Sequence, residues 1–491
     1  MWSKVLSLAS RFGIALGLLN VMTRADEFDG VRADIRDFMA SQDVPSVAVA
    51  VAREGKIVWE EAFGWADVGR RIPATPHTLY SLASISKPIT TTGLMILVER
   101  GAIALDQPMD DYLGAQKLTA HVGEAREATV RRVANHTSGL PLHYQFFYED
   151  EAVPRPSMDE SIRRYGTLVR RPGEAYVYSN FGYGLLEYAI ERASGKSYAD
   201  FLREELFVPL GLTESAVNRT PDFGELVAVR YGVRRAPVPF YDFDHRGASA
   251  VFMSAHDLVR FGLFHLRGEV AGQSKAVLKQ ATLAAMREAP VLNDGGKSDY
   301  GIGLGLGERH GLKNFGHTGG MAGVSTILSI YPEEDLVVVV LANASSRVGE
   351  VEASILHTLR PQTIRNDHGF KPQSALVGPW KGEVHTYAGR TPVALDFEAG
   401  GSVFVRVGSG PRQEASQARL ESNGLLSIGG IAGDLGTPDA ARYPYTLRFA
   451  LKLREPDALD GSVSAISRDL PDRVGNALSY WVALRREKPQ P

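Results

Sequence analysis

The chain has 491 residues, too many for one ordinary hydrophobic core, so a large domain and a small one are expected. Hydrophobic residues make up 44% and charged residues 23%, which allows a sizeable core and excludes a disordered chain. A net charge of -3 sets up no field for nucleic acid or anionic lipid, and the absence of cysteine excludes disulfides, thiolate metal sites and thiol nucleophiles.

At the N-terminus, Lys4 and Arg11 precede an apolar run from Phe12 to Met22, and Thr23-Arg24-Ala25 follows with small residues where a signal peptidase reads. Residues 1–25 therefore read as a signal peptide, with export to the periplasm or beyond. The alternatives are an amphipathic helix or an overcalled start codon on a cytoplasmic protein. No other segment is apolar enough for a membrane span.

Residues 26–360 read as one α/β domain. A helix is predicted over 28–42, leading into the apolar run Ser46 to Ala52, a turn at Glu54-Gly55-Lys56 and a second run, Ile57 to Trp59. A second hairpin joins Val324–Tyr331 to Leu336–Asn343 through Pro332-Glu333-Glu334-Asp335, and its second strand lacks alternation, as a strand buried on both faces does. Between the hairpins the pattern is helical, with Thr91–Arg100 ending at Gly101 and Gly182–Ala193 ending near Gly195. This predicts one antiparallel sheet built from both ends of the domain, with a helical insertion. Residues 361–375, with Pro361, Gly369 and Pro372, read as a linker. In 376–491, alternating segments at 393–397, 402–407, 425–428, 445–453, 461–466 and 479–484 predict a small all-β barrel or sandwich.

Four motifs carry candidate chemistry. Ser84-Ile85-Ser86-Lys87 puts a hydroxyl and an amine three residues apart, on one face of the helix that opens there. A lysine whose pKa is lowered can take the serine proton, and the helix start favours developing negative charge. The bland alternative is a capping serine beside a solvated lysine. Tyr178-Ser179-Asn180 offers a phenol for proton transfer, or else only an N-cap. Gly316-His317-Thr318-Gly319-Gly320 exposes backbone N–H groups and polar side chains at a strand edge, or else is a turn with a surface histidine. Asn135-His136-Thr137-Ser138-Gly139-Leu140-Pro141 reads only as a buried, hydrogen-bonded loop.

In that order, Ser84-x-x-Lys87, Tyr178-x-Asn180 and His317-Thr318-Gly319 resemble the beta-lactamase-related serine hydrolases. These include class C beta-lactamases, D-alanyl-D-alanine carboxypeptidases, D-aminopeptidases and family VIII esterases. His136 to Pro141, Pro172-Gly173, Tyr178 to Tyr183, Ser254 to Leu258, Tyr300 to Gly303 and Leu341-Ala342-Asn343 are similar to landmarks of the same group. The resemblance spans roughly residues 28–355. It implies an acyl-enzyme on Ser84, with Lys87 and Tyr178 moving the proton. Asn180 would position Lys87 and substrate, and backbone N–H groups of Ser84 and Gly320 would hold the oxyanion. His317, Thr318 and Gly319 would orient the acyl side.

Class C beta-lactamases carry lysine where this chain has His317, a residue mostly neutral near pH 7. An esterase or a peptidase acting on D-residues is therefore favoured over strong beta-lactamase activity. The alternative is a penicillin- or peptidoglycan-binding sensor with little turnover, or a weak beta-lactamase. The partner expected is a small-molecule or peptide substrate, and the sequence carries no signal for oligomeric state. The C-terminal region resembles an appended lipocalin-like barrel; Gly433 to Pro438 either reaches the site mouth or belongs to a module for stability or partners. No cofactor is implied. Gly195-Lys196-Ser197 lacks the first glycine of a phosphate loop, no Gly-x-Ser-x-Gly elbow occurs, and the twelve histidines contain no His-x-x-x-His pair, so no metal site is expected.

Overall fold

The computed structural model describes residues 26–219, 221–309, 311–360, 373–415, 417–420, 424–467 and 476–487. The expected signal peptide and all but the end of the expected linker lie outside the described residues.

Helix α1 (Asp29–Ser41) precedes strands β1 (Ser46–Arg53) and β2 (Lys56–Asp67), and the short β3 (Ile72–Pro73) completes the N-terminal part of the sheet. The far part comes from β4 (Gly305–Arg309), β5 (Leu312–Met321), β6 (Val324–Tyr331) and β7 (Leu336–Ala342), followed by helix α5 (Gly349–Leu359). The strand order is β4-β5-β6-β7-β1-β2-β3. The two predicted hairpins meet at the centre, where β1 runs antiparallel to β7 from Val47↔Ala342 to Arg53↔Leu336.

Side-chain alternation in β1 explains the layering. Val47, Val49 and Val51 face one side, with Val338, Val340 and the buried residues of α1 and α5. Ala48, Ala50 and Ala52 face the other, where helix α4 (Ala255–Arg267) packs. Small residues let that helix come close: a Cβ on Gly262 would lie 2.5 Å from Val337 Cγ1. All of β7 is buried, as its unbroken apolar run predicts.

The insertion is built on helices α2 (Ser86–Glu99) and α3 (Asn180–Ser194), which pack on each other. Helix α2 begins five residues before the expected start, since Pro88 is accommodated in its first turn. Helix α3 ends as expected on a left-handed Gly195.

The C-terminal region expected as a small all-β barrel is a curled, half-barrel-like nine-stranded antiparallel sheet. Its end strands, Gln413–Glu414 and Gln417–Leu420, form no ladder with each other among the described residues. The Gln413 side chain crosses the gap, bonding both backbone groups of Ala432. The sheet is anchored to the insertion by the Tyr144↔Ala477 bridge, by Phe146 N–H donating to Asn476 Oδ1 at 2.8 Å, and by Glu174 between Lys452 and Arg454.

Candidate active site

Ser84 sits in a 3-10 turn, Ala83–Ile85, immediately before α2. Ala83 takes φ +49°, a left-handed conformation that a residue with a Cβ adopts only when its surroundings impose it. Those surroundings are two clamps: Leu82 N–H donates to Val251 O at 2.9 Å, and Leu82 O accepts from Thr326 Oγ1 at 2.9 Å. Gly319 completes them, for a Cβ there would lie 2.2 Å from Leu82 O, so only glycine lets β5 approach the serine turn.

One helical turn on, Lys87 is fully buried, and burial holds its amine well below the ordinary lysine value. Nζ lies 2.7 Å from Asn180 Oδ1, 3.1 Å from Ala248 O and 3.2 Å from Ser84 Oγ. A neutral amine has two N–H bonds and one lone pair. The carboxamide and carbonyl oxygens can only accept, so they take the two N–H bonds. The lone pair is left for the proton of Ser84.

The partners of Lys87 are themselves fixed. Ser179 caps α3, its Oγ accepting from Gly182 N–H at 3.1 Å, so the bland cap reading of this motif is also correct. The cap aims Asn180 at the amine. The turn carrying Ala248 is held by Gly247, whose N–H donates to the half-buried Glu187 at 2.7 Å and whose carbonyl accepts from Thr90 Oγ1 at 2.6 Å. Beside it, Asp244 lies between two buried imidazoles, 2.5 Å from His143 Nε2 and 2.5 Å from His245 Nδ1.

Tyr178 approaches Ser84 from the other side. Burial raises its phenol above the ordinary value, and a hydrogen bond with Ser84 opposes that rise. The phenol is thus harder to ionise than an ordinary tyrosine, and the lysine beside it gives up its proton more readily than an ordinary lysine. Nζ of Lys87 lies 4.7 Å from the Tyr178 ring centroid and 5.3 Å from that of Tyr183, faces that would stabilise a lysine once protonated.

His136 is the residue that sequence reasoning left without a role. It is buried, takes φ +61°, and packs against Tyr176, Tyr178, Tyr183 and Tyr300. Its Nδ1 accepts from Ser179 N–H at 3.1 Å, and its carbonyl accepts from Val177 N–H at 2.8 Å. The loop is therefore the bracket that sets the Tyr178 segment; its only sequence signal was its density of hydrogen-bonding side chains.

His317, Thr318 and Gly320 line the same cleft as Ser84 and Tyr178, a space of roughly 460 Å³. Strand β4 stops at Gly305, opposite Gly316, so residues 317–321 form a sheet edge with room for an added extended segment. Gly320 is open, with nothing within 4 Å of an added Cβ, whereas Gly316 and Gly319 lie against backbone rather than open space. His317 Nδ1 is 2.5 Å from Thr318 O, so that nitrogen carries the proton, and Nε2 accepts from Tyr300 OH at 2.9 Å. Burial first, then Lys87, pushes the His317 pKa down to about 3, so the ring is neutral. Arg309, the one arginine among the described lining residues, is paired at 2.5 Å with buried Glu352.

All eight predicted residues therefore meet at one place. The described lining comes entirely from residues 84–329. The Gly433–Pro438 segment instead packs within its own sheet, Leu435 N–H donating to Tyr445 OH at 2.9 Å and Thr437 Oγ1 lying 3.1 Å from Tyr480 OH. Spacing along the chain also missed two histidine and carboxylate clusters, His143 with Asp244 and His245, and Glu60 with His77 and His256.

Fold and site together define a beta-lactamase/transpeptidase-like α/β protein with a buried lysine at its central serine. The chain belongs to the Beta-lactamase family, which matches residues 31–359. It is 28% identical over 330 residues to Penicillin-binding protein 4* of Bacillus subtilis, covering 63% of this chain and 70% of that protein. It is 24% identical over 431 residues to a D-aminopeptidase of Brucella anthropi, covering 86% of this chain and 78% of that one. A class C beta-lactamase structure from Rhodobacter sphaeroides superimposes with TM-score 0.54 and 25% identity, covering 68% of this chain and 97% of the other.

Proposed function

We infer that the protein is a serine hydrolase that cleaves an ester or amide through an acyl-enzyme on Ser84. The observation that carries the reading is the buried amine of Lys87, held 2.7 Å from Asn180 Oδ1 and 3.1 Å from Ala248 O and lying 3.2 Å from the serine oxygen. Ser84 Oγ attacks the carbonyl carbon as its proton passes to Lys87 Nζ. The carbonyl oxygen becomes an oxyanion, received by the N–H groups of Ser84 and Gly320. Collapse breaks the bond to the leaving alcohol or amine, which takes a proton from Lys87 by way of Tyr178. Water, deprotonated by the same pair, then releases the acid. His317, Thr318 and Gly319 hold the acyl segment along the sheet edge.

Substrate class follows from charge. A neutral His317 and an Arg309 already paired with Glu352 leave no free cation for a substrate carboxylate among the described lining residues. This supports an esterase or a D-aminopeptidase-type enzyme over a beta-lactamase. The likeness to a D-aminopeptidase also favours it, over a span too long to end before the nine-stranded sheet. On this reading residues 26–360 are the hydrolase domain, 361–375 the linker and 376–491 a lipocalin-like module, and residues 1–25 direct export.

The test is a panel of p-nitrophenyl acetate and butyrate, D-alanine p-nitroanilide and nitrocefin, with fluorophosphonate labelling. Steady turnover of esters or the D-amino-acid amide, abolished by Ser84→Ala, is the expected result. One burst without turnover would replace the enzyme by a sensor, and neither labelling nor burst would make the site inert.

A further inference from the structure

Away from the cleft, four ionisable side chains converge from distant segments. Glu60 lies on β2, His77 in the strap between β3 and Ser84, Glu214 just before the short strand Ser215–Val217, and His256 in α4. His256 Nδ1 is 2.8 Å from Glu60 Oε2, and His77 Nδ1 is 3.1 Å from Glu214 Oε2. The two imidazole rings stand 4.9 Å apart, centroid to centroid. One ligand atom each from Glu60, His77 and His256 lies within 4.8 Å of the others.

The framework beneath is rigid. His256 N–H donates to Pro76 O at 3.2 Å, which fixes the strap against α4. Glu214 is held by Ser254, whose Oγ donates to Oε2 at 3.0 Å and whose N–H donates to the Glu214 carbonyl at 3.1 Å. Asp257, the next carboxylate, is already engaged by Glu214 N–H at 2.7 Å and Ser215 Oγ at 2.8 Å. All four converging side chains remain partly open to solvent, so an ion can reach them.

We propose that Glu60, His77 and His256, with Glu214, form a binding site for a divalent transition metal of the zinc type. Two imidazoles and a carboxylate are a borderline donor set, suited to Zn²⁺ and poorly suited to Ca²⁺ or Mg²⁺. Two carboxylates match the charge of a dication. Glu214 serves as fourth ligand or as the carboxylate that orients His77, the arrangement metal-bound histidines commonly have. A bound ion cross-links β2, the strap and α4. The strap runs directly into the turn carrying Ser84, so the ion is a structural clamp behind the nucleophile and takes no part in the reaction.

The experiment titrates full-length, EDTA-treated protein with zinc chloride, by calorimetry and by thermal unfolding. Uptake of one equivalent with a saturating rise in Tm is expected. Both are lost in His77→Ala/His256→Ala, and Glu60→Gln weakens uptake by roughly 10–100-fold. Uptake persists in His121→Ala/His385→Ala, which removes another histidine pair in ring contact, 5.5 Å apart. The metal-free Tm of each variant reports its fold, and Glu60→Gln decides the matter if the double variant is destabilised. Absence of saturable uptake, or uptake unchanged by the His77/His256 and Glu60 changes, would overturn the proposal, whatever the outcome of the substrate panel.

Discussion

Gly319→Ala is the most demanding perturbation of the serine turn, because it adds one methyl and removes no chemical group. That methyl would lie 2.2 Å from Leu82 O, 2.2 Å from Thr326 Oγ1 and 3.1 Å from Ala83 Cβ, where ordinary contact begins at 3.4 Å. Either β5 or the turn must withdraw by about 1 Å, and the Thr326–Leu82 hydrogen bond cannot survive unchanged. A 1 Å displacement of a reacting group costs about 100-fold in rate, equivalent to about 2.7 kcal/mol of transition-state stabilisation. Overpacking adds a stability loss of about 1–3 kcal/mol. The assay is the second-order rate of fluorophosphonate labelling, with kcat/KM on p-nitrophenyl butyrate beside it. Gly349→Ala is the control, since its Cβ meets nothing within 4 Å and the residue lies outside the cleft. If Gly319→Ala labels within about threefold of wild type, the size of an ordinary surface substitution, the account of the turn is wrong.

Tyr178→Phe keeps the ring beside Lys87 and His136 but removes the proton carrier. Labelling should fall by about 100-fold or more, with an unchanged far-UV circular dichroism spectrum. His317, with its pKa near 3, should show no imidazole titration by NMR between pH 5 and 8, and a midpoint near the ordinary 6.5 would contradict its assigned neutrality. Asp244→Ala would remove the carboxylate between two buried imidazoles and leave His143 Nε2 without its acceptor, a loss of about 1–3 kcal/mol in urea unfolding. Burial alone would raise the Asp244 carboxyl, but His245 and then His143 pull it well below its ordinary value. Its contribution to stability is therefore present above the unfolded-state value of 3.8 and is lost as pH falls towards the folded-state value, and acid titration of the wild type should show that loss.

Legibility in the sequence followed the range of the interactions. Helix α1 and the central hairpins were readable because local alternation and turn residues specify them. Ser84 and Lys87 were readable because three residues on a helix fix their proximity. Strand Gly378–Thr386 was missed, since Gly378, Pro379 and Gly382 interrupt the apolar pattern. The β4–β5 hairpin was hidden by its glycines, of which Gly316 and Gly319 serve close backbone approach. The role of His136 could not be read because it depends on four tyrosines brought in by folding. The cluster at Asp244 joins residues 143 and 244, and the one at Glu60 joins residues 60 and 77 to residue 256, beyond any spacing rule. Closure of the C-terminal sheet was not legible, because alternation predicts strands but not whether the last pairs with the first.

The central claim is that Lys87 rests as a neutral amine whose lone pair faces Ser84. Carbon-13 NMR of the lysine Cε resonances, with Lys87 assigned by its loss in Lys87→Arg, measures this directly. Because the folded-state pKa is lowered, activity should be present above it and disappear as pH falls through it. The account predicts a midpoint well below 10.5, shared by the labelling rate of Ser84. A midpoint at or above 10.5, or labelling indifferent to it, would contradict the account.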